Sequence, residues 1–246
     1  MECLNVLLDG TDSYTTVCSR LVPKYMIQVG ERPLLYILIE HFIEGLSKDT
    51  EKRTYILYNY HRKTSLHIKL YILIDRKSSS HYGVESYILS NFPYITPILY
   101  DKDSDFSMLS NRSPLIVSNL SAYNTNWRLG RFVNFYLYKF NYNGAIVAYE
   151  SDSNLEEVSF SLDKNNNVKQ IKFGKDKYRY AGTYFWRDTQ QWIDKYKQIN
   201  TTDKFDSISV LNHLIKQYRN TGFKLLDSPP EYIKTYEHTI EFLSKR

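Results

Sequence analysis

Short apolar runs alternate with helical patterns over the first 150 residues of the chain. Residues 3–8 (CLNVLL) are apolar and end at Asp9-Gly10, a pattern that predicts a buried strand leading into a turn. Residues 33–46 carry apolar side chains at helical spacing, and Gly45 marks the end of this predicted helix. The chain therefore begins as a strand, a connection and a helix.

The same alternation continues up to residue 150. Residues 11–20 are polar and predict a loop, whereas 62–92 contain apolar runs that fit either a strand or a helix. Residues 126–141 have apolar side chains at helical spacing. RTYILYNY (53–60) is rich in β-forming residues and predicts a strand. Three further segments are short and apolar, as in buried strands: YITPILY (94–100), SPLIVSN (113–119) and GAIVAYE (144–150). Such alternation predicts a mostly parallel sheet that is covered on both faces.

The pattern changes after residue 156. Residues 156–174 alternate around the polar turn DKNNN and predict a β-hairpin. The remaining segments predict a strand, two helices, a short strand and a closing helix: 178–186, 189–198, 207–220, 222–227 and 236–245. We therefore predict an α/β protein, a three-layer α/β/α sandwich with a mainly parallel sheet and an inserted β-hairpin. Because no repeat or low-complexity linker divides it, residues 1–246 are predicted to form one domain.

Composition narrows the class of protein. A hydrophobic fraction of 42% over 246 residues excludes a disordered chain, and we attribute the 23 tyrosines to codon bias rather than to a binding surface. The net charge of +5 is scattered among acids, so nucleic acid is not an expected partner. The longest apolar stretch, residues 33–43, is about half a membrane span and contains Glu40 and His41, so no membrane association is expected.

The cysteines and the N-terminus indicate the compartment. Cys3 and Cys18 are the only cysteines, and no histidine lies at metal-ligand spacing from them. The N-terminus MECLNVLLDG lacks a basic segment before its apolar run, so we expect no signal peptide. A reducing, cytoplasmic setting is the resulting expectation.

Five stretches of the sequence together resemble one enzyme family. The first, residues 5–42, places Pro23-Lys24 and Val29-Gly30 between a strand and an amphipathic helix. The others are PLIVSNLSAYN (114–124), VKQIKFGKDK (168–177), YAGTYFW (180–186) and PPEYIKTYEHTIEFLSK (229–245). Their order is similar to that in the sugar-nucleotide nucleotidyltransferases, or nucleotide-sugar pyrophosphorylases, whose fold is shared with metal-dependent GT-A glycosyltransferases.

The resemblance implies a ligand site. It makes residues 1–150 a nucleotide-binding half and 151–246 a sugar-binding half, with a ligand at the C-terminal ends of the strands. The implied ligand is a nucleotide or a sugar phosphate, which Lys175 would grip, while Gly182 would allow close approach. The residues assigned to this crevice are Gly10, Lys24, Asn119, Lys175 and Gly182.

The positions that carry the family's chemistry are replaced. Asp12 falls where a phosphate-binding glycine is expected, and Tyr14 falls where an arginine would neutralise the departing pyrophosphate. Ser121 and Tyr232 stand at the positions of the two aspartates that hold Mg²⁺. A hydroxyl and a phenol are poor substitutes, because Mg²⁺ prefers carboxylates and phosphates. We therefore assign no catalytic or metal-binding residue, and Mg²⁺ would be the cofactor only of an active enzyme.

Other residues with possible chemistry have simpler interpretations. Asp101, Asp103 and Asp105 are similar to the D-x-D metal motif of glycosyltransferases, but that motif is short and a polar loop is favoured. His61 and His67 lie in a basic run and are interpreted as surface residues. The three tryptophans are expected to pack in the core or at a dimer face: Trp127, Trp186 and Trp192.

Three functional hypotheses remain open at this point. The first is a nucleotidyltransferase-like protein with a degenerate site, which binds a nucleotide, a sugar phosphate or a protein partner without turnover. The second is an active sugar-1-phosphate nucleotidyltransferase with a displaced metal site. The third is a metal-dependent GT-A glycosyltransferase. The sequence also leaves open whether the chain forms a homo-oligomer.

Overall fold

The computed structural model of the protein describes most of the chain. The described residues are 2–11, 14–17, 20–47, 56–59, 64–101, 103–109, 112–120, 122–123, 132–133, 136, 141–199, 205–227 and 229–232. The strands of the main sheet are β1 (Glu2–Asp9), β6 (Ile56–Asn59), β7 (Thr64–Asp75), β8 (Ile95–Tyr100), β9 (Leu115–Asn119), β11 (Gly144–Glu150), β12 (Glu157–Leu162), β13 (Val168–Gly174), β14 (Tyr178–Trp186) and β15 (Thr221–Leu225). Three small sheets are formed by β2 (Tyr14–Val17) with β3 (Arg20–Pro23), β4 (Gln28–Val29) with β5 (Arg32–Pro33), and β10 (Ala122–Tyr123) with β16 (Glu231–Tyr232).

The helices connect and cover these strands. They are α1 (Leu34–Ser47), α2 (Arg76–Tyr82), α3 (Val84–Asn91), α4 (Thr189–Ile199) and α5 (Ser207–Tyr218), with a 3-10 turn at Lys24–Met26. None of the described helices is long and apolar enough to cross a membrane.

The central strands lie in the order β8–β7–β1–β9–β14–β11–β15. Seven of the ten described strands of this sheet run in one direction, and β6, β13 and β14 run against them. The β12–β13 hairpin pairs with β14 on the same edge as β9. The predicted α/β class, mainly parallel sheet and inserted hairpin are therefore confirmed.

Two hydrophobic cores lie on opposite faces of the sheet. Leu4, Val6 and Leu8 face the core that α1 closes, while Leu7 faces the core containing Trp192 and the buried side of α5. This alternation follows from the two-residue period of a strand, which directs successive side chains to opposite faces. Because packed side chains cover both faces of the sheet, an open surface for a ligand is expected at the ends of the strands.

Two local predictions differ from the structure or extend it. The segment 11–20, predicted as a loop, contains β2 and the start of β3, because Thr15, Thr16 and Val17 favour extended backbone. The ambiguous segment 62–92 divides into β7, α2 and α3 at Asp75, whose side chain accepts a hydrogen bond from the Ser78 amide at 2.9 Å and caps α2.

Two predicted helices fall largely outside the described residues. For 126–141 the structure describes Phe132, Val133 and Tyr136, which are buried, and also Asn141. The closing helix at 236–245 lies wholly outside them.

Candidate functional site

The ends of β1 and β9 lie beside the middle of β14 in the sheet. Asp9, the last residue of β1, is paired with Asn119, the last residue of β9. Thr183 of β14 is paired with Ser118, which places Gly182 beside the end of β9. The Leu120 amide donates to the Asp9 carbonyl at 3.0 Å and joins the two strand ends. The tertiary structure thus brings together the neighbourhoods of Gly10, Asn119 and Gly182.

Gly10 packs against the backbone of the neighbouring strand. Its amide donates to the Leu73 carbonyl at 2.9 Å, and a Cβ atom added to Gly10 would lie only 2.9 Å from the same oxygen. Because that oxygen belongs to the main chain, it cannot rotate away. The glycine therefore has a packing role in the sheet, and its amide is used inside the protein.

Gly182 has a different requirement. Its φ is +80°, in the left-handed region that side chains disfavour, and the pairing of β14 with β11 shifts register beside it. The next residue, Thr183, exchanges a buried hydroxyl–hydroxyl bond of 2.8 Å with Ser118. This irregularity in β14 therefore lies beside the end of β9.

Asp9 supplies a carboxylate to the loop after β1, and sequence analysis assigned it no role. Its Oδ1 accepts hydrogen bonds from the Thr11 amide at 3.1 Å and from the Thr11 hydroxyl at 2.7 Å. Asp9 is only 8% exposed. Two successive amides, those of Gly10 and Thr11, therefore donate to internal acceptors, whereas a phosphate cradle needs such amides for its ligand. A charged residue at the end of a buried strand is the signal that could have identified Asp9.

Lys24 begins the 3-10 turn that follows β3. It is buried, with Nζ 5.1 Å from the centre of the Tyr25 ring, and its carbonyl accepts from the Ile27 amide at 3.2 Å. The β2–β3 pairing sets Tyr14 opposite Pro23, directly before Lys24. The replaced arginine position and the predicted lysine are therefore close in the backbone, and the role of Lys24 in binding stays a prediction.

The segments to which the resemblance assigns the two metal positions meet in a short antiparallel bridge. Ala122 in β10 is paired with Tyr232 in β16, and Tyr123 is paired with Glu231. Ser121, next to Ala122, lies outside the described residues, as do Asp12 and Lys234. The assignment of these two positions to a metal site stays a prediction.

The β12–β13 hairpin forms a wall beyond the end of β9. Along β14, β9 is paired with Thr183–Trp186 and β12 with Tyr178–Arg179, so β12 begins where β9 ends. The last residue of β13, Gly174, lies opposite Glu157, the first residue of β12. Lys175 follows Gly174 and is exposed. The wall thus carries the predicted phosphate-binding lysine at the level of the strand ends.

A buried arginine of β14 lies next to this wall. The side chain of Arg179 is 0% exposed, and its Nε lies 3.6 Å from a carboxylate oxygen of Glu157. The same oxygen of Glu157 accepts from the Tyr149 hydroxyl at 3.2 Å. Burial, and then the nearby carboxylate, raises the pKa of Tyr149 to about 12. Sequence analysis missed Arg179 because its position in an alternating strand predicts only a core-facing side chain.

The acidic loop after β8 is held by turn hydrogen bonds. Asp101 accepts from Arg76 Nε at 2.7 Å and from the Asp103 amide at 3.0 Å, and Asp105 accepts from the Ser107 hydroxyl at 2.5 Å. Hydrogen bonds from Ser107 lower the pKa of the Asp105 carboxyl. Within the described part of the chain, no group of three His, Cys, Asp or Glu side chains is placed to hold a metal ion.

The tryptophans and histidines singled out in the sequence differ in their burial. Trp186 and Trp192 are fully buried in the core, as predicted, and the Trp192 indole donates to the Tyr184 hydroxyl at 2.7 Å. His67 lies half-buried in β7, while His61 and Trp127 are outside the described residues.

Solved structures match this fold over its whole length. No protein-family model matches the sequence, and no curated protein matches it significantly. HddC from Yersinia pseudotuberculosis is 16% identical, with a TM-score of 0.62 over 100% of this chain and 99% of HddC. HddC has also been crystallised with GMP-PN. CTP:phosphocholine cytidylyltransferase from Streptococcus pneumoniae is 15% identical, with a TM-score of 0.61 over 99% of this chain and 98% of that one.

A third structure extends the comparison. 4-Diphosphocytidyl-2C-methyl-D-erythritol synthase from Anaerococcus prevotii is 13% identical, with a TM-score of 0.59 over 100% of this chain and 99% of that one. At such identities the likeness establishes the fold alone. The chain has a nucleotide-diphospho-sugar transferase-like fold.

Proposed function

We propose that this chain is a nucleotidyltransferase-like binding protein with a degenerate site, which holds a nucleotide or a sugar phosphate without transferring a nucleotidyl group. The observation that carries the proposal is the arrangement of Asp9 and Thr11. The carboxylate of Asp9 accepts the loop amide and hydroxyl that would otherwise be available to a phosphate. A fixed anion at that point also repels the charged tail of a triphosphate.

The donor set does not fit a catalytic Mg²⁺ ion. That ion needs several hard oxygen ligands, usually carboxylates together with phosphates of the substrate. The carboxylate at the start of β12, Glu157, is paired with Arg179 and hydrogen-bonded to Tyr149. Ser121 and Tyr232 replace the two aspartates expected from the resemblance. The proposal therefore includes no metal-dependent step.

Two lysines support retention of binding. The resemblance assigns Lys24 and Lys175 to the ligand, and Lys175 is exposed on the wall next to the strand ends. A lysine can attract a phosphoryl group as a point charge even where catalysis is lost. The nucleotide in one HddC crystal structure supports a nucleotide as the first ligand to test.

Calorimetric titration with glucose 1-phosphate and with a panel of nucleoside diphosphates and triphosphates tests the proposal. We expect binding of at least one ligand whose affinity is unchanged by Mg²⁺, together with a preference for a monophosphate over a triphosphate. The same mixtures should release no pyrophosphate. Steady release of pyrophosphate, or tight Mg²⁺ binding at the strand ends, would replace the proposal with an active nucleotidyltransferase.

A further inference from the structure

Arg179 connects the end of β13, the β11–β12 connection and the start of β12. One guanidinium nitrogen donates to the Gly174 carbonyl at 2.7 Å, and the other donates to the carbonyls of Ser153 and Leu155 at 3.1 and 3.3 Å. Its Nε faces Glu157 at 3.6 Å. The planar, always charged guanidinium suits this task because its fork of donors can reach several acceptors at fixed angles.

Burying the charged side chain of Arg179 costs free energy, and the contacts that compensate for it restrict the surrounding main chain. A fully buried cation destabilises the fold unless hydrogen bonds and a counter-charge compensate for its lost hydration. Here the compensation comes from three main-chain carbonyls and one half-buried carboxylate. The carbonyls of Ser153, Leu155 and Gly174 consequently have little freedom to move while Arg179 stays buried.

The connection matters because Lys175 follows Gly174 directly. Gly174 is the last residue of β13, which lies at the end of the path β13–β12–β14 in the sheet. The adjacent turn is also tied to the β11–β12 connection, because the Ser151 amide donates to the Lys177 carbonyl at 3.0 Å. Arg179 thus holds the carbonyl of Gly174, the residue directly before Lys175.

We propose that Arg179 is a positioning residue that acts through Lys175. By fixing the Gly174 carbonyl, it sets the direction in which the lysine is presented to a phosphoryl group at the strand ends. This inference rests on the proposed binding function for its consequence, but its structural part can be tested without any ligand.

The ligand-free test is hydrogen exchange of the amides at 174–177. Arg179→Gln removes the charge and part of the donor fork, so exchange there should rise by about tenfold or more above any change in global unfolding. Arg187→Gln is the matched control, since Arg187 lies just past the opposite end of β14 and binds the Asn141 side chain. The control should leave exchange at 174–177 unchanged. Equal exchange in Arg179→Gln and the unaltered protein would overturn the inference.

The binding test is a double-mutant cycle with glucose 1-phosphate as the probe. Lys175→Ala and Arg179→Gln should each weaken binding by about fivefold, as expected for loss of one exposed charge contact. The double variant should lose no more than either single one, and Arg179→Lys should recover part of the affinity. Independent, multiplying losses would overturn the inference. If the unaltered protein binds neither glucose 1-phosphate nor any nucleotide of the panel, the proposed function fails, and the exchange measurement still decides whether Arg179 positions the turn.

Discussion

Ala122 and Tyr232 lie opposite each other in a two-residue antiparallel bridge, although they come from opposite halves of the chain. This pairing places the segment after β9 against the C-terminal segment, as expected if both once contributed a ligand to one metal ion. The resemblance assigns the family's two metal positions to Tyr232 and to Ser121, which directly precedes Ala122 in the sequence.

The first prediction is that the unaltered protein does not turn over. Removing one oriented donor that stabilises a transition state costs on the order of 10²–10³ in rate, and the resemblance implies that an arginine and two aspartates are replaced. Pyrophosphate release should be undetectable with any pairing of common sugar 1-phosphates and nucleoside triphosphates. A coupled pyrophosphate assay checks this, with an active pyrophosphorylase as the positive control.

The second prediction concerns restoration of the site. The triple variant Tyr14→Arg, Ser121→Asp and Tyr232→Asp should acquire Mg²⁺ binding, because two carboxylates would again lie on the paired segments. Only a trace of activity is expected, since Asp9 would still repel the triphosphate. The matched control is Tyr14→Arg, Ser121→Asn and Tyr232→Asn. Equal Mg²⁺ affinity in the two triple variants would show that the segments do not form a metal site.

The third prediction addresses Asp9. Asp9→Asn removes the negative charge while keeping an oxygen that can accept from Thr11. Triphosphate affinity should rise by about tenfold, because one repulsive charge at short range in a partly buried loop is worth about 1–4 kcal/mol. Calorimetry with the unaltered protein and with Asp103→Asn, an exposed acid of the β8 loop, supplies the comparison. If the affinity for triphosphate does not rise, the charge of Asp9 does not oppose its binding, and the proposed function loses its main support.

The fourth prediction concerns the loss of stability when a side chain is added at two glycines. Gly10→Ala should lower the free energy of unfolding by about 1–3 kcal/mol, because the new Cβ meets the Leu73 carbonyl. Gly182→Ala should cost about 1–2 kcal/mol through its positive φ. Gly30→Ala is a useful comparison, since that glycine also has positive φ but no atom within 4 Å of an added Cβ. Denaturant unfolding checks all three, and an unchanged Gly10→Ala protein would contradict the packing role.

The fifth prediction is a loss of stability at alkaline pH. Tyr149 has a folded-state pKa of about 12, above the value of about 10 in an unfolded chain. Its neutral form is therefore favoured by folding, so this contribution is complete below pH 10 and disappears as the pH rises towards 12. The loss amounts to about 2–3 kcal/mol.

Tyr149→Phe should reduce the alkaline loss by that amount while costing about 1 kcal/mol at neutral pH for the missing bond to Glu157. Burial also raises the pKa of Tyr136 and Tyr184, so part of the alkaline loss should remain in the variant. Unfolding free energies measured from pH 8 to 11.5 check this. Parallel curves for the two proteins would contradict the assignment to Tyr149.

The sequence by itself determined the elements of the fold. The apolar run before Gly10, the helical spacing at 33–46 and the alternation at 156–174 each predicted the type of element that the structure contains. Those elements predicted the α/β class and the mainly parallel sheet. The fully buried Trp186 and Trp192 follow from the same local patterns.

Only the tertiary structure decided how the site is held. The hydrogen bonds of Asp9 to Thr11, the bridge between Ala122 and Tyr232, and the burial of Arg179 depend on register, bulges and the crossing of distant segments. A residue's periodicity records which face it occupies, but the partner of a buried charge is set by whichever segments the fold brings within hydrogen-bond distance. For that reason the sequence predicted a ligand crevice from five residues, whereas the structure revealed the hydrogen-bonded carboxylate of Asp9 at the end of β1 and the buried Arg179 in β14.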